Sequence, residues 1–268
     1  MVRPTVLLKL GGSLITDKTR PDTSRIATIR RLAREIAAAA GARGGARLLI
    51  GHGSGSFGHA AAAEGGLIPG ADATRRLDAI ARTQRRAAAL HQLVMAAIAR
   101  AGARAFSFAP SSFLKATDGR ITGAFVDPIF EALDRGLLPV VYGDVVLDRA
   151  RGAVVVSTEE IFLLLVRAAT KRKHAIARVV WLGETDGVLD DGGLPIARLS
   201  AESARRAARR VRGASGVDVT GGMALRLRTA GLLAQAGVPS LIVDGRRSGM
   251  VASSIAGRAA GGTRVELR

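Results

Sequence analysis

Short, almost wholly apolar runs alternate with longer amphipathic segments along the whole chain, and this alternation restricts the fold more than any other feature. Val6-Leu7-Leu8-Lys9-Leu10 and Arg47-Leu48-Leu49-Ile50 read as strands, as do residues 104–108, 136–142, 178–182, 240–244 and 263–267. Residues 24–40, 73–100, 157–171, 201–210 and 224–235 carry apolar positions at helical spacing, and 153–157 read as a hairpin strand. Strands that are apolar throughout and are each followed by a helix call for a mainly parallel sheet covered on both faces. The expected fold class is therefore α/β. At 268 residues and 48% hydrophobic, the chain can build one large core unaided.

The strands end in one way, on glycines and small polar residues. In open α/β sheets that edge is where ligands bind. Gly11-Gly12-Ser13 follows the first strand and Gly51 to Gly58 follows the second. Bare backbone N–H groups there suit phosphate oxygens; tight turns are the alternative reading. Gly53-Ser-Gly-Ser-Phe-Gly58 fits the dinucleotide pattern G-x-G-x-x-G, but no strand ending in an acidic residue lies about 20 positions on. A dehydrogenase is rejected on that ground. P-loop and protein-kinase signatures are also missing.

His52 and His59 flank the second glycine loop, and His59 is the better placed to donate to an anion. His91 and His174 lie in helical segments and receive no role. Asp144 follows Tyr142-Gly143 at a strand end, where it either forms a turn or orients a lysine or a magnesium-bound water. Ser157-x-x-Glu160 is a capping box; the helix start it marks either is only capped or also receives a phosphate. No His, Asp and Glu cluster has metal-ligand spacing, so a metal is expected only as Mg²⁺ carried by nucleotide phosphates.

The formal charge of +18 raises the question of nucleic acid. The arginines spread over helical faces, and aromatic residues are 3% of the chain, too few for a base-stacking platform. Neither nucleic acid nor a membrane is expected as a partner: no apolar run approaches the roughly 20 residues that cross a bilayer. Met1-Val2-Arg3-Pro4 leads straight into a strand with no signal peptide, and the absence of cysteine suits a reducing cytoplasm. Only five of the 40 basic residues are lysine, and two of them are Lys9 and Lys18. In an arginine-rich chain, a retained lysine suggests a site that needs a compact point charge.

Taken in order, Lys9-Leu-Gly-Gly-Ser13 with Lys18, Gly51 to His59, Gly143-Asp-Val-Val146, Thr185-Asp-Gly-Val188 and Asp218-Val-Thr-Gly-Gly-Met223 resemble the amino-acid kinase superfamily, and within it the isopentenyl phosphate kinases. The resemblance implies a single domain over 1–268, a three-layer αβα sandwich. Its acceptor lobe would cover about 1–170 and its ATP lobe about 171–268, and the protein would be a homodimer. It implies that Lys9 and Lys18 contact the transferring phosphoryl group, with His59 and Asp144 also catalytic. Gly11, Gly12, Ser13 and Gly55 would line the nucleotide phosphates. Asp186, Gly187, Gly221, Gly222 and Arg226 would belong to the ATP lobe. Gly53, Ser54, His59, Ser157 and Thr158 would hold a small phosphorylated acceptor. ATP and Mg²⁺ are the implied cofactors. Two positions depart from the family pattern: Arg226 stands where a lysine is usual, and Thr158 where a glycine is usual. The alternatives are a kinase of a phosphonate antibiotic or of an acidic metabolite and, more distantly, a non-catalytic nucleotide- or nucleic-acid-binding protein.

Overall fold

A computed structural model describes residues 4–41, 47–213, 222–259 and 261–268. The chain runs β1 (Thr5–Leu10), α1 (Gly12–Ile15), α2 (Ile26–Gly41), β2 (Arg47–His52), α3 (Gly55–Glu64), α4 (Leu77–Arg100) and β3 (Ala105–Ser107). It continues through α5 (Pro110–Phe113), β4 (Leu114–Thr117), β5 (Arg120–Ala124), α6 (Asp127–Asp134), β6 (Leu138–Tyr142), β7 (Asp144–Asp148) and β8 (Gly152–Val156). The remainder is α7 (Thr158–Lys171), β9 (Ile176–Gly183), β10 (Arg198–Ser200), α8 (Ala201–Gly213), α9 (Gly222–Gln235), β11 (Ser240–Asp244), α10 (Met250–Ile255) and β12 (Thr263–Glu266).

Eight strands form the main sheet in the order β10-β12-β11-β9-β1-β2-β6-β3. Every pairing in it is parallel except β11 with β12. The strand period of two sends successive side chains to opposite layers. Leu7, Leu49, Val179 and Trp181 pack with Ile161, Phe162, Leu227 and Leu233 of α7 and α9. Val6, Leu8, Leu10, Ile50 and Leu182 pack with Ile29, Leu32, Leu90 and Val94 of α2 and α4. The expected three layers are therefore present. Lys9 shares the face of Leu7, which points it at α7 and α9.

A second sheet, β5-β4-β7-β8, stands apart from the first. Only β8 of it is legible in the sequence. β5 alternates between exposed and half-buried positions and lacks the apolar runs of the main sheet. The glycine-rich segments also differ from the expected loops, because α1 starts at Gly12 and α3 at Gly55.

Candidate active site

The carboxyl ends of β9, β1, β2 and β6 lie side by side, with Leu182, Leu10, His52 and Tyr142 in register. The two glycine segments meet there backbone to backbone. A Cβ on Gly12 would lie 2.8 Å from the Gly55 nitrogen, and one on Gly53 would lie 3.0 Å from the Gly12 nitrogen. Gly55 holds a left-handed backbone, φ +51°, and any side chain on it would strike Thr16. Thr16 joins the two segments: its hydroxyl donates to the Gly12 carbonyl at 2.8 Å and accepts from the Ser56 N–H at 3.0 Å.

Not every expected N–H is available to a ligand. Gly11 N–H donates to the Leu182 carbonyl at 2.8 Å and Gly53 N–H to the Leu10 carbonyl at 3.1 Å. Gly11 and Gly53 thus serve by being small, which corrects their assignment as phosphate donors. Among the described residues the N–H groups of Gly12, Ser13, Ser54 and Gly55 meet no acceptor, so these four are left open to a ligand.

Lys9 is 6% exposed and forms a buried ion pair with Glu159, which is 3% exposed and sits in the first turn of α7. Burial alone would raise the Glu159 pKa; the Lys9 ammonium and the Arg226 guanidinium outweigh it and hold the carboxyl below its ordinary value. Arg226 approaches from α9, its Nη1 3.0 Å from the place a Cβ would occupy on Gly183, and its buried Nε has no acceptor. An unpartnered buried donor beside bare glycines is suited to a phosphate oxygen.

His59 stands on α3 and is exposed to solvent. Its pKa is nonetheless lowered, by desolvation first and then by Lys9 and Lys18, with Glu159 opposing. The structure therefore brings Lys9, Lys18 and His59 into one electrostatic neighbourhood.

Asp144 is buried at the start of β7. Its two oxygens accept from Ser111 N–H at 3.1 Å and from Val145 N–H at 2.8 Å. Burial raises its pKa against those hydrogen bonds. The Ser157 hydroxyl accepts from Glu160 N–H at 3.2 Å and donates to the Glu160 carboxylate at 2.8 Å, so the capping box occupies it. Thr158 turns its side chain away from solvent: its hydroxyl donates to the His52 carbonyl at 2.7 Å and its methyl covers Gly51. Asp186 pairs with Arg247 at 3.2 Å, and Gly187 packs on Thr263 at the start of β12. Gly222 opens α9, and Gly221 lies outside the described residues. Leu90, Val94 and Ile98 of α4 are core residues under the sheet.

Sequence reasoning missed Glu159 and Thr16. Glu159 had a signal: two acids open α7, and the capping box needs only Glu160. Thr16 had none, because its role depends on two loops meeting in space. Among the described residues no group of three or more His, Asp and Glu side chains could hold a metal, and no helix is long and apolar enough to cross a membrane.

The amino acid kinase family model matches residues 4–244. Isopentenyl phosphate kinase of Methanothermobacter thermautotrophicus is 35% identical, over 97% of this chain and 98% of the relative. The enzyme of that name from Methanocaldococcus jannaschii is 30% identical over 82% of this chain and 84% of its own. A crystal structure of an isopentenyl phosphate kinase superposes with a TM-score of 0.79 at 30% identity, covering 97% of this chain and 99% of the other. A product complex of the T. acidophilum enzyme, at 22% identity and a TM-score of 0.77, shares the fold.

Proposed function

The chain belongs to the amino acid kinase family, and on that premise we propose that it transfers the γ-phosphoryl group of ATP to isopentenyl phosphate, forming isopentenyl diphosphate. The observation that carries the reading is the convergence of Lys9, Lys18, His59 and Arg226 on a row of open backbone N–H groups, in a chain similar over nearly its whole length to isopentenyl phosphate kinases.

The nucleophile is an oxygen of the acceptor phosphate, already anionic, so the reaction requires no general base. The obstacle is bringing two polyanions together, and catalysis reduces to positioning and charge neutralisation. Lys9, aimed by Glu159, and Lys18 stabilise charge on the group in transit. Gly12, Ser13 and Gly55 hold the nucleotide phosphates from the N-terminal lobe and Arg226 from the C-terminal lobe, to which Asp186, Gly187, Gly221 and Gly222 also belong. The Ser54 and Thr158 backbones and the His59 ring hold the acceptor phosphate, in the N-terminal lobe. The five-carbon tail runs beside the separate apolar cluster of Ala62, Leu67, Ala79 and Val145 next to α3. Among the described residues no three His, Asp or Glu side chains could cage a metal, and Mg²⁺ would arrive bound to the nucleotide phosphates. In the same reading the enzyme is a cytoplasmic homodimer.

The test compares kcat/KM for isopentenyl phosphate, a short alkyl phosphate, acetylglutamate, glutamate and a phosphonate antibiotic in wild type, His59→Ala and His59→Gln. Wild type should prefer the alkyl phosphates. His59→Ala should lose about 10²–10³ of that activity at unchanged melting temperature, and His59→Gln, which keeps an N–H donor, should lose less. A wild type that turns over a carboxylate or phosphonate and ignores isopentenyl phosphate overturns the assignment.

A further inference from the structure

Behind the acceptor loop lies a chain of buried polar groups that the reaction does not consume. His52, at the end of β2, has Nδ1 3.0 Å from the Gly53 carbonyl oxygen and Nε2 3.0 Å from Nδ1 of His91 on α4. Nε2 of His91 lies 2.7 Å from the Ser107 hydroxyl on β3. Both rings are buried and both stack on Tyr142, with centroids 5.6 Å and 4.2 Å away.

These contacts fix the protons. A carbonyl only accepts, so His52 Nδ1 carries hydrogen. A neutral ring then leaves its Nε2 as an acceptor, so His91 donates from Nδ1 and accepts at Nε2 from the Ser107 hydroxyl. Donation runs in one direction, from β3 to the loop. The rings stay neutral at ordinary pH. Desolvation, with Lys9 adding to it and the Gly53 carbonyl opposing, lowers His52 to about 4. Desolvation and His52 lower His91 to about 3.

The carbonyl at the end of this chain belongs to the Gly53–Ser54 peptide, which is planar and trans. Holding its oxygen on one side sets its N–H on the other. That N–H has no protein acceptor among the described residues, and its nitrogen lies 3.5 Å from where a Cβ would stand on Gly143. We propose that His52, His91 and Ser107 are positioning residues: together they lock the plane of the Gly53–Ser54 peptide so that the Ser54 N–H faces the acceptor phosphate. This inference rests on the acceptor reading above for the identity of the anion, but not for the existence of the relay.

The test joins ¹⁵N-histidine NMR to kinetics. In wild type without substrate, His52 and His91 should both show the Nδ1–H tautomer. His91→Phe keeps a ring but removes the donor, so His52 should keep its Nδ1–H on the Gly53 carbonyl while its Nε2 resonance moves downfield to that of an imine nitrogen without a hydrogen bond. The KM for isopentenyl phosphate should rise about tenfold, and that for ATP should stay within about twofold. His91→Asn, whose amide can supply the Nδ1 donor, should recover most of the loss. Ser107→Ala, at the exposed end of the chain, should move the same KM in the same direction by less. An Nε2–H tautomer at His52 in wild type overturns the proposal. So does a His91→Phe enzyme in which both KM values move together or only the melting temperature falls. If wild type ignores isopentenyl phosphate, the acceptor assignment fails, and the substrate-free tautomers still decide the relay.

Discussion

Lys9 lies too deep to remain charged without a partner, and Glu159 supplies one 150 positions away. Removing one member of a buried pair strands the other, at about 3–5 kcal/mol. Lys9→Met should therefore lower both the melting temperature and kcat, the latter by about 10²–10³. Adding Glu159→Gln should restore much of the stability and none of the activity. Denaturation midpoints and single-turnover rates on wild type, both single variants and the double variant check this; a double variant that regains activity removes Lys9 from the reaction. At this scale the sequence was informative where chemistry broke the local bias. A lysine among arginines stood out, and so did a histidine beside bare glycines. It was uninformative where one residue had two explanations. Glu159 was hidden beside a capping box, and His91 occupied an ordinary helical position.

At the scale of the element, the start of α7 separates a structural role from a binding one. Ser157 was expected to touch the acceptor, yet its hydroxyl is engaged with Glu160. Ser157→Ala should cost about 1 kcal/mol of stability and leave the acceptor KM within about twofold of wild type. Urea titration and initial-rate kinetics on the same preparation decide it. A large rise in acceptor KM at unchanged stability would return Ser157 to the binding site. Helices and strands of the main sheet were legible because burial on both faces writes long apolar runs. The second sheet was not: β4 and β5 are short, half-exposed and paired across a reversal at Asp118-Gly119, so their apolar signal is diluted.

For the whole molecule, the two buried imidazoles set a limit on acid tolerance. In the unfolded chain both protonate near 6.5, whereas in the folded protein His52 resists to about 4 and His91 to about 3. Between those values the unfolded state binds more protons, so stability is full above about pH 6.5 and declines as the pH falls toward 4. Glu159, with a lowered pKa, adds a loss in the same direction at lower pH, below the ordinary carboxylate range. The melting temperature of wild type should drop steadily from pH 7 to pH 4.5, and His91→Asn, with one imidazole fewer, should fall less steeply. A flat wild-type profile across that range contradicts buried neutral histidines. The layered architecture itself was readable from the alternation of runs. The strand order was not, since nothing local states that β9 lies beside β1.

That neighbour relation shapes how the protein comes into being. β1 is synthesised first, and it pairs on one side with β2, close behind it, but on the other with β9, which starts at residue 176. At about 5–20 residues per second, the ribosome takes roughly 8–30 s to pass from Lys9 to Glu159. Throughout that interval β1 is an open, apolar sheet edge, the kind of template on which nascent chains stick to one another. Its lysine waits there without its carboxylate. The arrival of α7 and β9 closes the edge and neutralises the charge together, so the nascent chain loses an exposed template and an unpaired buried cation in a single event.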